Sequence, residues 1–132
     1  MPEMSVTATE NMIMASVLSS GKIEIHLAAC EPHVVDLCKF LVNFGAQISG
    51  IGTNKLIIEG VDRLVGNEYR VRSDYLEIGT FALAAVLTNG EITITNLPDE
   101  DLDLFLYTLW KAGGNFEIDK NILKIYPSKE LK

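Results

Sequence analysis

One unit is written twice in this chain. Ala15-Ser16-Val17-Leu18 followed by Gly21-Lys22-Ile23-Glu24-Ile25 returns as Ala84-Ala85-Val86-Leu87 followed by Gly90-Glu91-Ile92-Thr93-Ile94. Phe40-Leu41-Val42-Asn43-Phe44-Gly45 and Tyr107-Thr108-Leu109-Trp110-Lys111-Ala112-Gly113 each read as a helix closed by glycine. Each copy then runs into paired strands, to Leu56-Ile57-Ile58 and to Leu123-Lys124-Ile125. The step from Gly21 to Gly90 is 69, from Gly45 to Gly113 is 68 and from Leu56 to Leu123 is 67, so two single-residue slips align the copies. A repeat of this length fixes the architecture before any single motif does.

Hydrophobic periodicity supplies the elements. Thr7 and Glu10 are spaced as a capping box for a first helix whose Met12, Ile13, Met14, Ala15, Val17 and Leu18 leave little polar face. Such a helix is expected to be buried all round and to end at Gly21. Lys22–Leu27 alternates, with Ile23, Ile25 and Leu27 on one face of a strand. Pro32 suits the first turn of a second helix carrying Val34, Leu37, Cys38 and Leu41, and Gly45 stops it. Strands near 46–49 and 55–59 flank a Gly50-Ile51-Gly52 turn. In the second copy, Tyr69–Arg72 reads as a strand. Asp74 and Glu77 cap the next helix, and Glu91–Thr95 is a strand. Pro98-Asp99-Glu100-Asp101 opens the fourth helix, and a hairpin turns at Lys120-Asn121.

The expected fold class is therefore α/β of the α+β kind. Two copies of a β-α-β-α-β-β unit, residues 1–68 and 69–132, each lay their helices on one face of a mixed four-stranded sheet. The joining segment near 61–74 is the expected hinge.

Composition excludes several functions. The net charge is −7, from 18 acidic and 11 basic residues, and Arg63, Arg70 and Arg72 are the only arginines, so there is no basic footprint for nucleic acid. No apolar run reaches membrane-spanning length, and Met1-Pro2-Glu3-Met4 does not open a signal peptide, which points to the cytoplasm. His26, Cys30, His33 and Cys38 follow no common zinc spacing, so no metal site is expected. The acids at 99–103 lie where a helix dipole favours them rather than forming a catalytic pair. The Gly50-Ile51-Gly52 stretch lacks the Gly-Lys-Thr and strand–helix context of a phosphate loop. Nothing calls for a cofactor.

Several segments together resemble the enolpyruvyl transferases, in particular the branch acting on a UDP-sugar. They are Ser5-Val6-Thr7-Ala8-Thr9-Glu10-Asn11, Ala28-Ala29-Cys30-Glu31-Pro32-His33-Val34-Val35-Asp36-Leu37, 44–53, Ile58-Glu59-Gly60-Val61 and Asp74-Tyr75-Leu76-Glu77-Ile78-Gly79-Thr80-Phe81. The resemblance runs from about Ser5 to Tyr126. It implies a fold of six such repeats in two lobes, of which this chain holds two, with the lobe crossing near Arg72–Asp74.

It also implies transfer of the enolpyruvyl group of phosphoenolpyruvate to the 3-hydroxyl of UDP-N-acetylglucosamine, in peptidoglycan precursor synthesis. The family's catalytic lysine, mobile-loop cysteine, aspartate and arginines have no counterpart here. Cys30 lies in a different segment from that cysteine, so no catalytic residue is assigned and the chain alone is expected to be inactive.

By the same resemblance Ser5, Val6 and Thr7 contact the diphosphate of the UDP-sugar, although Thr7 stands where the family often has glycine. Asp74 and Glu77 are the expected hinge residues. The alternatives are a non-catalytic scaffold or interaction module, which covers its exposed surfaces by self-association or with the missing repeats, and a segment of a shikimate-phosphate enolpyruvyl transferase.

Overall fold

The computed structural model describes residues 3–98 and 101–131, and the chain divides into two compact units, Met1–Val71 and Arg72–Lys132. The first contains α1 (Val6–Ser16), β1 (Lys22–His26), α2 (Pro32–Asn43), β2 (Gln47–Ser49) and β3 (Lys55–Glu59). The second repeats that order as α3 (Tyr75–Leu87), β4 (Ile92–Thr95), α4 (Asp103–Lys111), β5 (Asn115–Asp119) and β6 (Ile122–Tyr126).

The repeat extends to strand order and register. The sheets run β1-β3-β2 and β4-β6-β5, and every adjacent pair is antiparallel. Ile23 faces Ile58 as Ile92 faces Ile125, and Ile25 faces Leu56 as Ile94 faces Leu123. A slip of one residue would turn this isoleucine–leucine face outward, so burial of one face holds the register.

In the first unit Ile25, Leu56 and Ile58 meet Ile13 and Val17 from the α1 end and Val34, Cys38 and Leu41 from α2 in one core. In the second, Leu123 and Ile125 meet Ile78, Ala82 and Val86 of α3 and Leu106 and Leu109 of α4. Each fully buried aliphatic side chain contributes roughly 1.5–3 kcal/mol. Both helices of a unit cover the same sheet face. The other face is largely polar, with Lys22, Glu24, His26 and Lys55 on it in the first unit.

The four-stranded mixed sheet is corrected. Each sheet has three strands among the described residues, and no neighbouring strands run parallel. Residues 69–72, expected as a strand, have no ladder partner. The Tyr69 hydroxyl instead reaches back to Asp36 on α2.

Other expectations shift too. α1 stops at Ser16 rather than at Gly21, which lies just before β1 at φ +88. Only one side of α1 is buried, while Met12, Met14 and Leu18 are exposed. Phe81, Leu83 and Leu87 are exposed on α3, each 69 positions further on, so the apolar outer face is itself part of the repeat. Leu27 leaves the strand face: it lies past the end of β1 at φ 58, exposed, as Asn96 lies past β4 at φ 61.

The fourth helix begins at Asp103 behind Leu102, not at Pro98. Asp101 lies outside it at φ 83 and pairs with Arg72 at 2.6 Å; Asp99 and Glu100 lie outside the described residues. Pro32 does occupy the first turn of α2, and Gly45 follows that helix at φ +102. Gly60 is required by close approach, since a Cβ there would overlap the Ser19 carbonyl.

Candidate functional site

The start of α1 is built by Ser5, not by the expected Thr7–Glu10 box. Ser5 is extended (φ −140, ψ 122), and its Oγ accepts from the Ala8 N–H at 3.3 Å. An N-cap needs the extended backbone that precedes the helix, and Thr7 is already the second residue within it. The Ser5 carbonyl is held in turn by the Thr9 N–H at 2.9 Å and by Thr9 Oγ1 at 2.7 Å. Thr9 is fully buried and also accepts from the Ala29 N–H at 2.9 Å. Ser5, Val6 and Thr7 therefore stand together on a helix start anchored to the Ala28–Cys30 loop.

The first N–H groups of a helix have no carbonyl four residues back, and with the helix dipole they favour an anion. Thr7 is exposed and Ser5 and Val6 are partly so. The cap is uncharged, so it brings no negative charge of its own to this end.

Asp74 is the repeat counterpart of Ser5, 69 positions on, and caps α3 the same way. Its Oδ1 accepts from the N–H groups of Leu76 at 2.8 Å and Glu77 at 3.4 Å. This cap is a carboxylate, and Glu77 adds a second acid in the first turn. The two helix starts thus differ in charge where they agree in geometry, and only the first suits an anionic ligand. Ser73 just ahead donates its hydroxyl to the Asn96 carbonyl, and Arg72 pairs with Asp101. Asp74 and Glu77 thus follow directly on two tied-down residues at the start of the second unit.

The remaining chemistry-bearing residues are dispersed. Cys38 is in the first core, and burial pushes its thiol up to about 11; Cys30 is exposed. His26 meets Glu24 at 3.3 Å on the polar sheet face. Lys55, at 2.9 Å, lowers the Glu24 carboxyl to about 2 by hydrogen bond and charge, with His26 and Lys22 assisting. An open depression of about 660 Å³ in the second unit, lined by Trp110, Phe116 and Lys129 among others, contains none of the candidate site residues Ser5, Val6, Thr7, Asp74 and Glu77. Sequence reasoning missed Thr9 as a structural link. Its signal was a threonine at a position that is Ile78 in the other copy.

This doubled unit of two helices on a three-stranded antiparallel sheet defines a class. The chain belongs to the EPSP synthase (3-phosphoshikimate 1-carboxyvinyltransferase) family, whose model matches residues 1–131. Its high-identity relatives are UDP-N-acetylglucosamine 1-carboxyvinyltransferases, each matched over a segment of its length. That of Borrelia garinii subsp. bavariensis is 45% identical over 130 residues, covering 98% of this chain and 30% of the relative. That of Novosphingobium aromaticivorans is 46% identical over 131 residues, covering 99% and 31%.

Among solved structures, the enolpyruvyl transferase NikO of Streptomyces tendae superposes with TM-score 0.76 at 19% identity, over 93% of this chain and 30% of its own. EPSP synthase of Acinetobacter baumannii superposes with TM-score 0.69 at 20% identity, over 99% and 31%. These two likenesses concern the fold. The chain spans about 30% of the length of the relatives it matches.

Proposed function

We propose that this chain serves in an enzyme that transfers the enolpyruvyl group of phosphoenolpyruvate to the 3-hydroxyl of UDP-N-acetylglucosamine, a cytoplasmic step of peptidoglycan precursor synthesis. The observation carrying this reading is identity of about 45% to UDP-N-acetylglucosamine 1-carboxyvinyltransferases over nearly the whole chain. Within it, Ser5, Val6 and Thr7 hold the diphosphate of the UDP-sugar. The uncharged Ser5 cap on an eleven-residue helix supports that role, since the cap itself sets no negative charge against the first backbone N–H groups and the dipole. Asp74 and Glu77 stand at the hinge between the repeats, and the Asp74 cap, which accepts from the Glu77 N–H, supports a rigid first turn of α3 there.

The chain itself supplies substrate contact rather than chemistry. Addition of a sugar hydroxyl to an enol carbon needs a general acid, a base and cations for phosphate and carboxylate. By the resemblance to that family these groups come from other repeats, and the isolated chain is expected to be inactive. Phosphate release from phosphoenolpyruvate with UDP-N-acetylglucosamine tests this. Turnover by the purified chain would overturn the division of labour. For the site, titration of UDP-N-acetylglucosamine should shift the Val6 and Thr7 amides. Shifts elsewhere but not there would remove the diphosphate assignment.

A second reading rests on the exposed apolar faces. Met12, Met14 and Leu18 on one unit and Phe81, Leu83 and Leu87 on the other are more than a solitary soluble unit needs to show. In that reading the chain is a scaffold module that covers these faces by self-association. Light scattering decides: a monomer at high micromolar concentration counts against it.

A further inference from the structure

The segment following β3 does not run free to the second unit. Gly60 and Val61 donate their N–H groups to the carbonyls of Gly21 at 2.9 Å and Val17 at 3.0 Å. Leu64 packs against the first core. From there the chain runs back along α2. The Val65 N–H reaches the Phe44 carbonyl at 2.8 Å, and Asn67 and Asn43 join side chain to side chain at 2.5 Å. Asn43 Nδ2 also donates to the Glu68 carbonyl at 3.1 Å. Last, the Tyr69 hydroxyl donates to Asp36 Oδ1 at 2.7 Å, and its ring stands edge-on to Phe40 with centroids 5.5 Å apart.

These contacts differ in quality. Those of the asparagines are exposed, so water competes for them. The Tyr69 bond is part-buried, and Asp36 is only 9% exposed. It is a short hydrogen bond to a carboxyl group in a shielded place, which is the stronger kind. It also lies further along the segment than the asparagine contacts.

We infer that residues 64–69 form a strap latched to α2 by the Tyr69–Asp36 bond, and that this latch sets where the chain between the units can bend. Latched, the segment stays with the first unit at least as far as Tyr69. Released, residues from Asp62 onward join the linker. Tyr69 is thus a positioning residue for the hinge. The inference concerns the chain's own mechanics and stands whether or not the proposed reaction is correct.

Hydrogen exchange on the whole chain tests it. Tyr69→Phe removes the hydroxyl and keeps the ring on Phe40, and Tyr69→Ala removes both. The Val65 and Glu68 amides should exchange about ten-fold faster or more in Tyr69→Phe, and faster still in Tyr69→Ala, while core amides such as Ile58 keep their protection. Nitrogen-15 relaxation should show 64–69 moving with the first unit in the parent chain and independently of it in Tyr69→Ala. If Tyr69→Ala leaves Val65 and Glu68 within two-fold of the parent, the strap holds without the latch and the inference fails. It fails equally if protection drops by the same factor at Ile58, because Tyr69 would then support the whole unit.

Discussion

Thr9 and Ala29, twenty residues apart, are joined by a buried hydrogen bond of 2.9 Å from the Ala29 N–H to Thr9 Oγ1. The same hydroxyl donates to the Ser5 carbonyl at 2.7 Å, so one side chain ties the start of α1 to the loop before α2. The second copy has Ile78 at the corresponding position. The copies keep one backbone plan, yet among the described residues only the first fixes its helix start through a buried polar link.

Thr9→Val is nearly isosteric and leaves the Ala29 N–H buried without its acceptor. The expected cost is about 1–3 kcal/mol, read as a lower urea midpoint with an unchanged slope. Exchange at Ala29 should rise with it. An unchanged midpoint together with unchanged Ala29 exchange would show that the bond contributes nothing.

Leu27 sits at φ 58, where a Cβ crowds the backbone, and it is exposed, so little burial offsets the strain. Asparagine tolerates this region and already occupies it at Asn96 in the second copy. Leu27→Asn should stabilise the first unit by about 0.5–1 kcal/mol. A lower melting temperature in the variant would mean that Leu27 packs usefully despite its exposure.

Glu24 carries the pH dependence of the polar sheet face. Lys55, above all, holds its carboxyl at about 2, against an ordinary value of 4.5. A depressed carboxyl contributes its stabilisation above the ordinary value, and that contribution disappears as pH falls from 4.5 towards 2. The group is fully exposed, so the effect on stability is small and salt-sensitive. The titration itself is the sharper readout. By carbon-detected NMR the Glu24 midpoint should lie well below that of an ordinary glutamate, and Lys55→Met should raise it. A midpoint indifferent to Lys55→Met would remove the ion pair as its cause.

The two thiols should separate cleanly. Cys30 is exposed, while Cys38 is buried with its thiol raised to about 11. An aromatic disulfide reagent at pH 8 should titrate one thiol promptly in the native protein and the second only in denaturant. Mass spectrometry should place the early adduct on Cys30. Early modification of Cys38 would show that the first core opens readily.

Much of this fold was legible because repetition and periodicity are local. The positions of β1, α2, the β2–β3 hairpin and α3 follow from alternation, Pro32, Gly45 and the Asp74 cap. What escaped depends on distant partners. A cap is decided by backbone conformation, so Ser5 took the role that the Thr7–Glu10 spacing suggested. Strand count depends on a neighbour to pair with, and Tyr69 spends its polar group on a helix instead. The apolar circumference of α1 reads as burial, but a three-stranded sheet is too narrow to cover all of it. At the candidate site the resemblance gave Ser5, Val6 and Thr7, whereas Thr9 needed coordinates, since nothing local in a threonine announces a partner twenty residues away.

The docked run from 64 to 69 also changes what the spacing between the units means. Six residues, fully drawn out, span about 20 Å. Folded back along α2, they contribute almost none of that to reach. A ruler laid along the sequence would credit the connection with a generous tether, but the molecule keeps that length fastened to the first unit.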